Sequence, residues 1–460
     1  MENNTHKNID METLVSLCKR RGFVFQGSEI YGGLGGTWDY GPYGVALKNN
    51  IIESWRKKFV HNREDMFEVD AAILMNPKVW ESSGHVAGFA DPLVEDTKTK
   101  KRFRADTLLE DNNISPVGMS LLDMSNVIKE KNIMSPDGNP LGEVRQFNMM
   151  FSTSVGAMED SSSTVYLRPE TAQGMFVNYK NIMDSIHPKI PFGMAQIGKA
   201  FRNEITPRDF LFRVREFNQM EIEYFVKEYD WEKYFEYFKD EMREWFEEVG
   251  IDASKLVEIE KSKEDLAHYS DRTIDYEFHF PFGQKELSGL AYRKSFDLGV
   301  HQEGSKQSLE YFDEETKEKY LPHVIEPSFG LDRALLAVLV SAYKEVPDKE
   351  GTRVYLGFKP SIAPVIACVS PLLKNKEELV SKAREVFGTL KSSFGRISWD
   401  DNGNIGKRYR RQDEIGTPWC IVIDFASLDD ESVTVRDRDT GTQERIKISE
   451  LHSYISSRIS

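Results

Sequence analysis

The segment GLDRALLAVLVSAYKEV, residues 330–346, is apolar on nearly every face, and Asp332 and Arg333 are its only early charges. A surface helix needs a polar side for water, so this one reads as the buried centre of a domain that other elements must enclose. Residues 44–60, GVALKNNIIESWRKKFV, place Val45, Leu47, Ile51, Ile52, Trp55 and Phe59 at three- and four-residue spacings, the pattern of an amphipathic helix. Another helix is expected within 229–250, where Trp231, Phe235, Phe238, Met242, Trp245 and Val249 form one stripe; such aromatic rows are core faces far more often than cofactor sites. Strand-like stretches lie at 192–205 and 210–224.

A chain of 460 residues is too long for one ordinary core, so two or three domains are expected. From about 85 to 145 the sequence is charged and turn-rich, with little apolar periodicity, and reads as an insertion. VPDKEGTR, 346–353, reads as a linker. Beyond it PVIACVS, CIVIDF and SVTVRDRD alternate with the helix KEELVSKAREVFGTLKSSFG, which predicts a small α/β unit with a hairpin turned by Asp439, Thr440 and Gly441. The N-terminus has no apolar signal region and no run of 18 apolar residues occurs, so the chain is expected to be cytosolic, full length and without a membrane partner. Cys18, Cys368 and Cys420 are far apart and without a CxxC, which argues for neither a disulfide framework nor a thiolate zinc site. A net charge of −15 excludes a general nucleic-acid coat and confines any polyanion to local basic patches.

One such patch is AFRNEITPRDFLFRVREFNQME, 200–221, where Arg202, Arg208, Arg213 and Arg215 alternate with acids and phenylalanines. On an antiparallel pair of strands, Phe212, Val214, Met220, Ile222 and Tyr224 fall on one face, while Arg213, Arg215, Phe217, Gln219, Glu221 and Glu223 fall on the other. The first face is core. The second, with Arg202 from the preceding strand, is either a solvated salt-bridged surface or a polar cleft. Phe217 favours the cleft, because guanidinium forks match phosphate oxygens and a ring supplies a stacking surface for a base. Common nucleotide loops are missing: GNIGKR, 403–408, has the wrong spacing for a P-loop, and YGGLGGTWDYGPYG, 31–44, fails GxGxxG and reads as a cluster of turns. Phosphates are therefore expected at arginines and at the helix end where HVIEPSF runs into Gly330, beside Arg333.

FRNE at 201–204, followed by a loop and RxxxF at 213–217, resembles motif 2 of the class II aminoacyl-tRNA synthetases, and GLDR at 330–333 resembles motif 3. The helix 44–60 with the segment ending at Pro77 resembles motif 1, the dimer-forming element. DYGPYG, AAILMNPKVWESSGH, LRPETAQGMFVNY, FGMAQIGKAFRNEI, REFNQMEIEYF and IGKRYRRQDEIGTPWC are similar, nearly end to end, to the homodimeric glycyl-tRNA synthetases. The resemblance implies an α+β fold, a class II antiparallel-sheet catalytic core flanked by helices, with insertions and a C-terminal α/β anticodon-binding domain. It divides the chain into core with motif 1 (1–84), an insertion that is a candidate tRNA acceptor contact (85–145), core with motif 2 (146–225), a helical insertion (226–275), core with motif 3 (276–345), a linker (346–353) and the anticodon-binding domain (354–460).

By the same resemblance, glycine and ATP give glycyl-adenylate, and the glycyl group passes to the 3′ end of tRNA(Gly). Arg202 and Arg333 are the expected catalytic residues: Arg202 would bridge the α-phosphate and the substrate carboxylate, Glu204 would contact adenine, Phe217 would stack under it, and Arg213 with Arg333 would hold the triphosphate. Asn203, Phe212, Val214, Arg215, Glu216, Glu286, Leu287, Gly330, Leu331 and Asp332 complete the expected ATP site, with Glu286 a candidate magnesium partner. For glycine, Glu170, Glu221 and Glu326 would face the ammonium and Arg104 and Arg293 the carboxylate, walled by Phe217, Asn218, Gln219, Met220, Pro327, Ser328, Phe329 and Gly330. Zinc is not expected, because the cysteines that some members carry near VEDTKTKKRFRAD are absent. Lys407, Arg408, Tyr409, Arg410 and Arg411 are anticodon candidates, a solvated basic loop being the other reading, and KTKKRFR near 98–104 is a second basic patch. The expected partners are ATP, glycine, tRNA(Gly) and a second copy of the chain. The competing function is a non-catalytic synthetase-like RNA-binding or polymerase-accessory protein, against which intact Arg202, Glu204, Phe217 and Arg333 speak.

Overall fold

The computed structural model describes residues 9–156, 163–348 and 351–459. Its centre is a seven-stranded sheet of β1 (Met66–Glu68), β2 (Phe192–Phe201), β3 (Glu216–Val226), β4 (Leu256–Glu260), β5 (Arg272–Phe280), β6 (Gly283–Lys294) and β7 (His323–Gly330). They lie in the order β4-β5-β6-β7-β3-β2-β1. All neighbours are antiparallel except β1 and β2.

Period-two alternation assigns one face of this sheet to the core. Met220, Ile222 and Tyr224 of β3 and Phe329 of β7 pack there against three helices, α1 (Pro42–Arg56), α3 (Trp231–Glu248) and α5 (Leu331–Ala342). Every residue of α5 except Arg333 is buried, as its all-round apolarity requires. The opposite face is covered only in part, by α2 (Ala172–Ile186) and α4 (Phe296–Ser305), whose Met175, Phe176 and Leu298 close over Met194, Phe225 and Val324. The uncovered part of that face is a cleft.

The structure differs from the sequence expectation in four places. Residues 226–275 are not an appended insertion: α3 is a layer of the main core and β4 is the sheet's edge, so the aromatic stripe is satisfied by the sheet itself. The polar stretch read as a linker forms a hairpin, Tyr343–Asp348 with Gly351–Leu356, which continues directly from α5; its turn at 349–350 lies outside the described residues. The charged region after residue 85 has a small core of its own, in which Val94, Leu109, Met124 and Ile128 pack between a three-stranded sheet and two short helices. Finally, the charged hairpin is shorter than its alternation suggested, because residues 202–215 form a loop between β2 and β3.

The C-terminal unit is a five-stranded sheet ordered Ile397–Trp399, Ala367–Pro371, Trp419–Ile423, Ser432–Asp437, Gln443–Lys447, with its first two neighbour pairs parallel and its last two antiparallel. Helix α6 (Glu377–Phe394) covers it through Leu379, Ala383, Val386 and Leu390. The hairpin turn expected at 439–441 is present, and Gly441 takes the left-handed φ of +71° that a side chain resists. Asp413 of α7 (Ile405–Ile415) is buried and accepts two bonds from Arg436, at 2.8 and 3.1 Å, and one from Arg353 at 3.2 Å. The three cysteines are buried and free. Among the described residues no helix is long and apolar enough to cross a membrane.

Candidate active site

The cleft has a volume of about 580 Å³ and lies over β3, β5, β6 and β7. Its position follows from strand pattern. On β3 the residues that alternate with the core set, Phe217, Gln219 and Glu221, point into it, and β7 contributes Glu326 and Ser328 by the same rule. The register sets Glu221 opposite Ser328 and Ser328 opposite Gly289 of β6.

One end of the cleft is basic and aromatic. Arg202 leaves the end of β2, donates from Nε to the carbonyl of Pro169 at 3.1 Å, and lies between the rings of Phe89 and Phe217, 5.4 and 5.2 Å away. Arg333, in the first turn of α5, lies 4.3 Å over the ring of Phe212 and donates to the carbonyls of Phe212 and Glu286. Its Nη1 is 3.3 Å from the Glu286 carboxylate. Arg213 projects from the loop toward Glu204, at 3.7 Å. That loop is held by a close approach: Arg215 binds the carbonyls of Glu204 and Gly35, and a Cβ on Gly36 would stand 2.6 Å from Pro207. The glycine-rich segment 31–44 is thus more than a set of turns, since its glycines let the backbone lie against the arginine loop. At the loop's tip Asp209 and Phe210 both take left-handed φ near +60°, strained for a bulky residue, and Phe210 is anchored edge-on to Trp38 at 4.7 Å.

The other end is acidic and already hydrogen-bonded. Glu221 accepts from Ser328 Oγ and Gln219 Nε2, both at 2.8 Å, and from the amide and hydroxyl of Thr171. Glu170 accepts from Gln173 at 3.0 Å and lies 3.3 Å from His85 Nε2. Burial opposes its charge, but His85, Arg293 and Gln173 outweigh that and hold its carboxyl below the usual range. Burial raises Glu221, with Glu170 adding to the shift. Glu326, bonded to Arg293 at 2.8 Å, is pushed up to about 8 by burial first, Arg293 opposing and Glu221 and Glu170 adding.

Several expected site residues do not reach the cleft. Arg293 is buried behind the floor, with a two-pronged grip on Asp297 at 2.7 and 2.8 Å besides its bond to Glu326, so it braces carboxylates instead of meeting one from a substrate. Arg215 is spent on backbone carbonyls, Glu216 is exposed and paired with Lys199, and Asn203 does not line the cleft. The side chains of Met220, Phe329 and Leu331 face the core, and Pro327 also lies off the cleft. Asp332 lines the cleft, but its carboxylate holds the amide of Asn218 at 2.6 Å and the hydroxyl of Tyr40. Arg104 is there as well, its fork taken by Asp91 and Asp106. Sequence reasoning missed Phe89, His85, Gln173 and Asp297. Asp297 follows Arg293 by four residues, a spacing that signals a pair on one helix, yet here it spans a strand end and a helix start.

The basic run 407–411 is not a loop. It lies on α7, and Arg408 is buried, donating to the carbonyls of Pro371, Asp401 and Gly403. Arg411 is paired with Asp400 at 2.7 Å, and Tyr409 is half-buried under Arg436. Lys407 and Arg410 are the exposed members. Arg408 therefore ties down the start of its helix, which corrects its assignment as an RNA contact.

An antiparallel sheet with an arginine-lined cleft on one face, a buried helix opening at its rim and a separate C-terminal α/β unit define a class II tRNA synthetase. Residues 152–342 match the tRNA synthetase class II core domain (G, H, P, S and T), and residues 366–458 match the anticodon binding domain. The chain is 50% identical over 458 residues to a glycine–tRNA ligase of Alkaliphilus oremlandii, covering 98% of each chain. It is 48% identical over 465 residues to that of Staphylococcus haemolyticus, with 98% of this chain and 99% of the relative covered. A glycine–tRNA ligase of Acetivibrio thermocellus is 50% identical over 457 residues, 97% and 98% of the two chains. The chain belongs to the glycine–tRNA ligase family of class II aminoacyl-tRNA synthetases.

Proposed function

We propose that this protein activates glycine with ATP and transfers the glycyl group to the 3′ end of tRNA(Gly), using the cleft over β3, β6 and β7. The observation that carries the reading is the polarity of that cleft, with Arg202 and Arg333 among aromatic rings at one end and Glu170, Glu221 and Glu326 at the other. Glycine offers an ammonium and a carboxylate, and these ends complement both.

In the first step a carboxylate oxygen of glycine attacks the α-phosphorus, and the bond to pyrophosphate breaks. The nucleophile arrives already ionised, so the protein supplies position and charge, not a base. Arg202 is anchored through Pro169, the residue before Glu170, which suits it to bridge the substrate carboxylate and the α-phosphate while the amine meets Glu170 and Glu221. Phe217 offers its ring to the adenine, and Arg213 and Arg333 offer theirs forks to the outer phosphates. Among the described residues no group of three or more His, Cys, Asp or Glu could hold a metal by itself. A single carboxylate, Glu286, fits magnesium, which takes most of its ligands from phosphates and water; bound there, the ion would offset charge on the departing pyrophosphate. In the second step the terminal ribose hydroxyl of tRNA attacks the glycyl carbonyl and AMP leaves.

Amino-acid-dependent ATP–pyrophosphate exchange across a panel of amino acids tests this reading. Exchange driven by glycine, requiring magnesium and no tRNA, is expected; equal exchange with alanine or serine would remove the glycine assignment, and none at all would favour the non-catalytic alternative.

Lys407 and Arg410 are proposed as RNA contacts of the C-terminal domain, supported by their exposure on α7. Replacing both by alanine should leave exchange unchanged, weaken charging of tRNA, and make charging less steeply dependent on salt, because fewer counterions are released. Unaltered charging across a salt series would retire the assignment. A homodimer formed through the segment preceding Pro77 is supported by Ile30 and Tyr31, each 88% exposed, and by exposed Leu34 beside them. Sedimentation at micromolar concentration tests it, an active monomer being the contrary result. The cytoplasm is the compartment this function implies, and cell fractionation checks it.

A further inference from the structure

Below Glu221 on the same face of β3 stands Glu223, a carboxyl the proposed reaction does not use. It is fully buried, and neither of its oxygens has a hydrogen-bond partner among the described residues. The β3–β7 register runs from Gln219 opposite Gly330 to Val226 opposite His323, and it places Glu223 directly across from Glu326. Its neighbour on β2 is Met194, and the next residue on that face of β3 is Phe225, both in the apolar cluster under α2 and α4. Glu223 thus sits where the polar floor of the cleft gives way to hydrocarbon.

Charge counting makes this position informative. Glu223 and Glu326, with Asp297, share one guanidinium, that of Arg293, which is already committed to Asp297 and Glu326, while the neighbouring Glu170 and Glu221 have His85 and the buried Arg168 near them. The other groups facing the pair are Tyr269, whose ring lies 3.8 Å from Arg293, and His301, which bonds the Gln173 side chain that bridges Glu170 and Asp297. None is a second fixed cation. An ionised carboxyl buried without a partner costs several kcal/mol, and two carboxyls held against each other do not both ionise.

We propose that the Glu223–Glu326 pair holds a proton beyond what its carboxyls keep when the amine site is filled, and that a bound amino-acid ammonium displaces this proton to solvent, making Glu223 a positioning residue that couples glycine binding to proton release. The proposal rests on the reading of Glu326 as part of the ammonium site. Burial raises both carboxyls, Glu223 well above its ordinary value, so with Arg293 bonded to Glu326 the pair keeps one proton between them while the amine site is empty, and the ammonium's charge beside Glu326 is what lets it leave. The step balances: glycine enters as the zwitterion with its ammonium intact, one carboxylic O–H of the pair ionises, and buffer takes the proton. Since the pair must lose a proton for glycine to bind, glycine affinity rises with pH until that proton is gone and stays flat until the ammonium of glycine itself deprotonates.

Titration calorimetry of the full-length protein with glycine, near neutral pH in two buffers of different ionisation enthalpy, measures the protons released. A release approaching one per glycine is expected for the unmodified protein. Glu223→Gln, which keeps the shape and fixes that position as neutral, should bind glycine with a clearly smaller release, and its KM for glycine should reach its plateau at lower pH with kcat little changed. Glu223→Leu, if folded by circular dichroism, should behave like the glutamine variant. Glycine binding with heats that do not depend on buffer would overturn the proton coupling while leaving the amine site standing. Binding unaffected by Glu326→Gln, or no binding at all, would instead overturn the placement of the ammonium and the coupling with it.

Discussion

Replacing Arg202 by lysine lowers glycine-dependent ATP–pyrophosphate exchange by about 10²–10³-fold, the usual effect of losing one preorganised donor to developing charge. Position and shape both contribute. The guanidinium is fixed by the Pro169 carbonyl and by two rings above and below it, so its fork faces the cleft before substrates arrive. An ammonium can fill the same charge but cannot span two oxygens in one plane or lie flat against Phe217. The melting temperature stays close to that of the unmodified protein, because the site is partly solvated and the fixed contacts given up are one bond to Pro169 and the stacking on Phe89 and Phe217. Exchange kinetics beside thermal unfolding check this, and activity within tenfold of normal in the folded variant would take Arg202 out of the reaction.

Asp413→Ala has the opposite profile. It removes the carboxylate that joins Arg436 and Arg353 and leaves a buried guanidinium uncompensated, a change worth about 3–5 kcal/mol. Loss of that size unfolds a small domain at moderate temperature. Calorimetry should record an early transition from the C-terminal unit, with charging lost and exchange retained, because the cleft borrows nothing from Asp413. An unmoved transition would mean that the arginines find other partners. Arg408→Ala belongs with this variant, since its guanidinium holds three carbonyls inside the same domain.

Much of the catalytic core was legible because strand alternation is a strict signal: the odd residues of β3 from Phe217 to Glu221 were separable from Met220, Ile222 and Tyr224 without coordinates. Helix α5 was legible for a comparable reason, its apolar surface leaving no side for solvent. Legibility ended where function depends on what a charged group is bonded to. Arg293 and Arg408 read as cationic ligands, yet each is buried and saturated by partners that are distant in sequence or are backbone atoms, and neither kind leaves a periodic trace. The small core after residue 90 escaped because its apolar residues are few and come from short elements whose individual patterns fall below a helical or strand window. Glu223 was visible as an acid on the polar face, but that the face turns to hydrocarbon just beyond it is a property of α2 and α4, not of β3.

The interleaving along β3 also sets how this part of the gene can drift. Neighbouring codons answer to different demands, Met220 and Ile222 to the packing of the core and Gln219 and Glu221 to the lining of the cleft. Substitutions can accumulate in either set while sparing the other. Loss or gain of a single codon offers no such latitude: it would turn carboxylates into the core and methionine into the cleft along the whole downstream strand. Within this strand, then, change by replacement is graded and change by length is all-or-none.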